Sequence, residues 1–315
     1  VQTNGTYLVT GGAGFIGSHV VEALLAAGHS VRVLDDLSTG HARNVPTDSR
    51  VKFIQGSITD PIAVSDAGDG IQGIFHLAAI ASVPRCTEQL ADAHEVNLTG
   101  TLRLFELARA AHVPIVYTSS AAVYGDNPAQ PLLESAEKHP LSAYGLDKLG
   151  CEQHAGLLKA QGIHSVGIRP FNVYGPRQDP SSPYSGVISL FCARLQSGAA
   201  ISLFGDGGQT RDFIQVRDIA QHFLAAMHYL QQGGASTVVN GCTGKTITIA
   251  ELAKLLMQIS GRTVEVQHAP PRVGDIRHSC GDAGYANSTL GLSGRVVLAE
   301  GLSELWQYLS TEGQS

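Results

Sequence analysis

Tyr144 and Lys148 stand four residues apart in the run Tyr144-Gly-Leu-Asp-Lys148, and Ser120 stands upstream in Thr118-Ser119-Ser120. On a helix, residues i and i+4 lie one above the other on the same face, so this spacing holds an ammonium beside a phenol. A nearby positive charge stabilises phenolate and lowers a tyrosine pKa from its ordinary value of about 10. A serine hydroxyl can then hold a substrate alcohol against that phenolate. Together the three groups can draw a proton from a carbinol while its hydride leaves for an oxidised cofactor. Such pairs also occur by chance on solvated helices, so the elements that position this one decide its meaning.

Residues 6–10 read as a short buried strand, followed by Gly11-Gly12-Ala13-Gly14-Phe15-Ile16-Gly17 and a helical pattern running to Gly28. Strand, glycine turn and helix in that order are the context of a dinucleotide fingerprint. Gly11 would make the turn, Gly14 would admit a pyrophosphate to the helix N-terminus, and Gly17 would let helix and strand pack closely. A second strand over 30–34 ends at Asp35-Asp36. An acidic residue there accepts hydrogen bonds from an adenosine ribose and repels a 2′-phosphate, which favours NAD over NADP. Further strands are expected over 51–55, 73–77, 114–118 and 164–169, with helices over 88–112 and 142–161. The second of these helices carries Tyr144 and Lys148. Ala78-Ala79 let a cofactor lie close to the backbone, and Ser119-Ser120 close the fifth strand at the carboxyl edge, where such sheets bind ligands.

This alternation predicts an α/β protein with a Rossmann-type doubly wound parallel sheet and a smaller C-terminal substrate-binding domain. The NAD-binding domain is expected over 1–171, with the sheet region re-entered around 205–240. Residues 172–315 are expected to be mainly substrate-binding, beginning with an irregular Pro/Ser/Gly/Tyr-rich segment over 172–186. Helical periodicity returns over 217–231, 248–260 and 297–309.

The 315 residues are 43% hydrophobic and 15% charged, a globular composition, and the net charge is −6 with no Lys/Arg run. That argues against nucleic acid or an anionic membrane as partner. Five scattered cysteines without a C-x-x-C suit a reducing, cytoplasmic setting. No signal peptide or spanning helix is expected, and the histidines show no metal-binding spacing, so no catalytic metal is expected. Gly241-Cys-Thr-Gly-Lys-Thr246 echoes a phosphate-binding loop, but Val239 stands where the full pattern needs glycine.

Gly11–Gly17, Asp35, Ser119-Ser120-Ala-Ala-Val-Tyr-Gly125, Tyr144-x-x-x-Lys148 and Arg169-Pro-Phe-Asn172 resemble the extended short-chain dehydrogenase/reductases. Within them the chain looks most like the nucleotide-sugar 4-epimerases, the UDP-galactose/UDP-N-acetylglucosamine 4-epimerase group. The resemblance implies redox-neutral epimerisation of a UDP-sugar with bound NAD, catalysed by Ser120, Tyr144 and Lys148. Ser119 stays open as an alternative to Ser120. It implies NAD contacts from Gly11, Gly14, Phe15, Ile16 and Gly17, from Asp35, Ser38 and Gly40, from Ser57 and Ile58, from Leu77, Ala78, Ala79 and Asn97, and from Tyr144 and Lys148. It places Ser120 and Asn172 on the sugar-diphosphate, Val187 and Phe204 near the uracil, Arg211 and Arg272 on the diphosphate, and Asp275 on the nucleotide ribose. It further implies a homodimer through helices within 88–112 and 142–161.

One exclusion and two departures from the family pattern refine the expectation. Ala121 and Ala122 occupy positions where related dehydratases and decarboxylases carry acidic residues, and methyl groups cannot protonate a leaving hydroxyl. Gly56-Ser57 replaces a pattern whose Asp meets the adenine amino group. Cys280 stands where epimerases restricted to plain hexoses tend to carry a bulky Tyr, so an N-acetyl group has room. UDP-N-acetylglucosamine is therefore the expected substrate, alongside or instead of UDP-glucose. A UDP-uronic acid epimerase and a non-catalytic NAD-binding sensor are the alternatives.

Overall fold

A computed structural model describes residues 5–179, 186–271, 274–292 and 295–312. The strands in chain order are β1 (Thr6–Thr10), β2 (Ser30–Asp35), β3 (Val51–Gln55), β4 (Ile74–His76), β5 (Ile115–Thr118) and β6 (Ser165–Pro170). After them come the short β7 (Asn172–Tyr174), β8 (Ile201–Phe204), β9 (Thr210–Arg211) and β10 (Phe213–Gln215), and then β11 (Thr237–Gly241), β12 (Ile247–Thr248), β13 (Val266–Ala269) and β14 (His278–Ser279). Seven of them form one parallel sheet in the order β11-β6-β5-β4-β1-β2-β3. Its central strands are buried on both faces, which explains their near-continuous apolar runs.

The helices are α1 (Phe15–Ala26), α2 (Pro61–Ala67), α3 (Val83–Glu88), α4 (Leu90–His94), α5 (Thr101–Ala111), α6 (Ala143–Leu158), α7 (Val187–Ser197), α8 (Val216–Gln231), α9 (Ile249–Ser260), α10 (Gly284–Leu290) and α11 (Leu298–Glu312). On one face of the sheet, Val20, Val21 and Leu24 of α1 pack with Phe223, Ala226 and Met227 of α8. On the other, Leu104 and Phe105 of α5 meet Cys151 and Ala155 of α6. A separate core around Phe191, Leu203, Leu252 and Leu302 holds α7, β8, α9 and α11 together. The last strand of the sheet, β11, pairs with β6 only after the chain has visited this second core.

The segment 88–112, expected to be largely helical, is helical over 90–111, and its irregularities are local: Gln89, between α3 and α4, leaves the helical region with φ −122° and ψ 57°. Between α4 and α5, Glu95–Gly100 widens into a π-helical turn. Such turns often mark functional positions, and this one carries Asn97.

Sheet order reverses at β1, whose neighbours are β2 and β4. The chain therefore leaves β1 and β4 toward opposite sides, and a crevice opens at their carboxyl ends.

Candidate active site

Helix α6 begins where Ser142 accepts a hydrogen bond from the Gly145 N–H. A side chain at Gly145 would meet the Ala122 carbonyl at 2.8 Å, so glycine lets this first turn lie against the loop after β5. That contact sets Tyr144 beside Ser120 on the cavity wall. Ser120 also caps its own loop, accepting from Ala122 N at 3.1 Å. The spacing of four continues along the helix. Lys148 Nζ donates to the Thr118 carbonyl at 2.9 Å, and Glu152 Oε1 accepts from Ser119 Oγ. Three consecutive residues at the end of β5 are thus clasped by three residues in one row of α6.

This arrangement separates the two serines. Ser119, Ser120 and Tyr144 all line a cavity of about 430 Å³, but the Ser119 hydroxyl is committed to Glu152, whereas the Ser120 hydroxyl stands beside Tyr144. The tyrosine's acidity differs from the expectation drawn from spacing. Burial pushes the Tyr144 phenol up to about 12, with the neighbouring Ser120 hydroxyl acting against that rise. Lys148 Nζ lies 5.8 Å from the ring centroid and is engaged with Thr118. Burial lowers the Lys148 pKa from its ordinary value.

The same cavity is lined by Gly11, Gly14, Phe15, Ile16 and Gly17 on one side. Gly11 takes φ +71°, and a side chain there would lie 2.6 Å from Ala78 N. At Gly17 an added Cβ would come within 2.0 Å of the Gly11 carbonyl. Helix α1 starts at Gly14 with no side-chain cap, leaving its first N–H groups available to an anion. Asp35, Ser38 and Gly40 form the adjoining wall. The Asp35 carboxylate accepts from Ala13 N and Leu37 N, both at 2.9 Å, and each oxygen retains a second lone-pair direction. Burial raises its pKa, and these two hydrogen bonds oppose the rise.

Ser57, Ile58, Leu77, Ala78 and Ala79 complete the lining expected from sequence. Two expected cofactor residues stand behind the wall. Asn97 is fully buried and brackets Ile80, accepting from its N–H at 2.8 Å and donating to its carbonyl at 3.1 Å. Lys148 sits behind Tyr144. Sequence reading missed Ile80, Arg85, Phe171, Val173 and Gln178, which also line the cavity. Phe171 and Val173 flank Asn172 in a run already singled out, so alternation along β7 was the available signal.

Among the described residues, the expected substrate residues other than Ser120 lie outside this cavity wall. Asn172 donates to the Asp212 carbonyl at 3.3 Å. Val187 opens α7 and Phe204 closes β8. Arg211 and Asp275 form an ion pair with each other at 2.6 Å, and Gln209 adds a 3.2 Å hydrogen bond to the same carboxylate. Arg272 lies outside the described residues, as do Pro180 to Ser185 of the irregular segment that opens the expected substrate-binding region. Cys280 is half-buried, with its N–H donated to Gln130 Oε1 at 2.7 Å.

The loop that echoes a phosphate-binding motif already holds an anion. Thr243 N, Thr243 Oγ1 and Gly244 N donate to the buried Asp212 carboxylate at 2.9, 2.6 and 2.8 Å. A carboxylate of the chain itself fills the place a phosphate would take. All five cysteines are unpaired, and no helix among the described residues is long and apolar enough to cross a membrane.

Comparison with known proteins agrees with this geometry. The model of the NAD dependent epimerase/dehydratase family matches residues 7–241. A UDP-glucose 4-epimerase from Mycolicibacterium smegmatis is 37% identical over 98% of this chain and 99% of its own. Among solved structures, a UDP-N-acetylglucosamine 4-epimerase from Methanobrevibacter ruminantium, in complex with UDP-N-acetylmuramic acid, superposes with a TM-score of 0.94. It is 32% identical, with 99% of this chain and 100% of that one covered. The Thermotoga maritima UDP-glucose 4-epimerase, solved with UDP-glucose, gives 0.92 at 36% identity, covering 98% and 99%. A nucleotide-cofactor crevice at the switch point of a parallel sheet, with a Ser/Tyr/Lys set on its edge, defines an NAD-dependent enzyme of the extended short-chain dehydrogenase type. The chain belongs to the NAD dependent epimerase/dehydratase family.

Proposed function

We propose that the chain is a UDP-sugar 4-epimerase working through a 4-keto sugar with Tyr144 as base. The observation that carries this reading is that Ser120 and Tyr144 open into the same cavity as the glycine turn and Asp35. The residues fit NAD. An uncapped helix start faces its pyrophosphate, glycines clear the path, and Asp35 offers a carboxylate to its adenosine ribose. When bound, NAD would supply the acceptor and then the donor of the C4 hydride.

Tyr144 takes the proton of the sugar 4-hydroxyl, and Ser120 orients that hydroxyl and relays the proton. Lys148 holds the end of β5 in place and offers its remaining donors to the nicotinamide ribose. After the keto sugar turns about its nucleotide end, Tyr144 returns the proton to the opposite configuration. Arg211 and Asp275 are the proposed diphosphate and ribose contacts, which requires their mutual ion pair to open toward the ligand. Ala121 and Ala122 supply no acid after Ser120, which disfavours dehydration. Cys280 stands in place of a bulky Tyr, which supports acceptance of UDP-N-acetylglucosamine, alongside or instead of UDP-glucose.

The large exposed side chains of Leu90, Leu146 and Leu157, on α4 and α6, support pairing of two copies through this face. A monomer by light scattering at micromolar concentration would contradict that. For the mechanism, Tyr144→Phe is expected to retain NAD and lose turnover. Retention of most of the activity would remove Tyr144 from its assigned role.

A further inference from the structure

Beneath the catalytic row lies a buried ion pair that the mechanism does not use. Arg169, on β6, grips Glu152 bidentately, with Nε donating to Oε1 at 2.8 Å and Nη2 to Oε2 at 2.7 Å. The two side chains are only 3% and 7% exposed. Burying an ion pair costs desolvation that its own attraction repays only when every remaining donor and acceptor is matched. Here they are matched in a specific direction. Glu152 Oε1 also accepts from Ser119 Oγ. Arg169 Nη1 donates to Tyr124 Oη at 2.7 Å and to the Glu134 carbonyl at 3.0 Å. Tyr124 in turn donates to Asn240 Oδ1 at 2.7 Å, and its ring lies under the guanidinium, 4.8 Å from centroid to Cζ.

The consequence is geometric. Ser119 precedes Ser120, and its N–H is bonded to the Ile168 carbonyl, one residue before Arg169. Main chain and side chain of Ser119 are therefore both fixed, one by β6 and one by Glu152. With Ser119 pinned, the orientation of the next residue follows, and Ser120 faces Tyr144 from the row that Glu152 shares. The pair also reaches the substrate side. Asn240 Nδ2 donates to the Leu132 carbonyl at 2.8 Å, and Leu132 N donates to the carbonyl of Cys280 at 2.8 Å.

We propose that Glu152, clamped by Arg169, is the positioning residue of the catalytic shelf. Through the Ser119 hydroxyl it holds Ser120 against Tyr144. The proposal rests on the epimerase reading above but concerns a residue that touches neither cofactor nor substrate in that reading. The sequence carried the signal: Tyr144, Lys148 and Glu152 recur every four residues and share one helical face.

The test is a double-mutant cycle in the NAD-loaded enzyme with Ser119→Ala, Glu152→Gln and the double variant. Glu152→Gln keeps the shape but leaves one acceptor oxygen for three donors, Ser119 Oγ, Arg169 Nε and Arg169 Nη2, so it disrupts the Ser119 link and removes the counter-charge of Arg169. Ser119→Ala cuts the same link while leaving the ion pair intact, so it keeps the test open if the first variant fails to fold. Each single variant is expected to lower kcat by about tenfold or more, with the KM for the UDP-sugar within about twofold of wild type and NAD retained. The double variant is expected to be no slower than the worse single one, because both break one link. Unchanged kcat in Ser119→Ala, a loss seen only in KM, or losses that multiply would each overturn the proposal.

A crystal structure of Ser119→Ala with NAD needs no turnover. The Ser120 hydroxyl is expected to have moved away from Tyr144 relative to the wild-type structure. Ser120 unmoved would overturn the positioning role. A wild-type protein that turns over no UDP-sugar would sink the epimerase reading, and the crystal structure would still decide the role of Glu152.

Discussion

Gly17→Ala tests whether the glycine turn has the close packing that the cofactor site requires. An added Cβ would lie 2.0 Å from the Gly11 carbonyl oxygen, 2.8 Å from its carbon and 3.0 Å from the Gly12 Cα. Ordinary contact begins near 3.4 Å, so the first turn of α1 must retreat by more than an ångström. Overpacking against side chains costs about 1–3 kcal/mol, and here the obstacle is backbone, which cannot change rotamer. Alanine recovers up to about 1 kcal/mol of helix propensity, leaving a net loss of about 2 kcal/mol. The retreat also carries away the N–H groups expected to meet the pyrophosphate. Each hydrogen bond lost to a charged group is worth about 1.5–3 kcal/mol, so NAD affinity should fall at least about tenfold.

Gly156→Ala, also on a helix, is the control, because nothing lies within 4 Å of its added Cβ, and it should stabilise by up to about 1 kcal/mol. NAD released on denaturation and urea unfolding of both variants give the readout. A Gly17→Ala protein that keeps its NAD and unfolds with the control would refute this reasoning.

Cys280→Tyr should suppress turnover of N-acetylated UDP-sugars while sparing UDP-glucose. Equal loss on both substrates in a steady-state assay, or no loss, would discard the steric argument. Acid should destabilise the fold through buried histidines. Burial lowers His76 to about 3 and His222 to about 4, against about 6.5 when unfolded. Both are neutral in the folded protein, so their effect is absent above pH 6.5 and grows as pH falls toward the folded values. The loss is about 1.4 kcal/mol per pH unit for each, or about 2 kcal/mol each at pH 5. Urea unfolding at pH 7 and pH 5 measures it. Replacing His222 with Gln should shrink the difference by about 2 kcal/mol, and a difference that His222→Gln leaves untouched would contradict the assignment.

The parallel sheet was legible because its strands are apolar runs punctuated by glycine turns, from Thr6–Thr10 through Ser165–Pro170. Seeing Tyr144 and Lys148 as a pair required only helical spacing. What spacing could not reveal is competition for partners. The Lys148 ammonium is drawn to the Thr118 carbonyl by a strand that lies 30 residues earlier, so burial rather than the lysine dominates the tyrosine's acidity. Likewise Arg211 and Asp275 find each other across 64 residues, and Asp212 fills the Thr243–Gly244 turn from 31 residues away. The break at Gln89 and the π-helical turn at Asn97 were hidden for another reason. Leu90, Ala93 and Val96 keep a near-helical rhythm through both, and only the backbone departs from it.

The most direct test incubates the purified protein, with no NAD added, with UDP-N-acetylglucosamine and separately with UDP-glucose, and follows the anomeric protons by NMR. New 4-epimer signals in the first sample are predicted, from a cofactor that stays bound and is regenerated in each cycle. Protein that releases NAD on denaturation yet leaves both UDP-sugars unchanged would contradict the proposed 4-epimerase activity on these substrates.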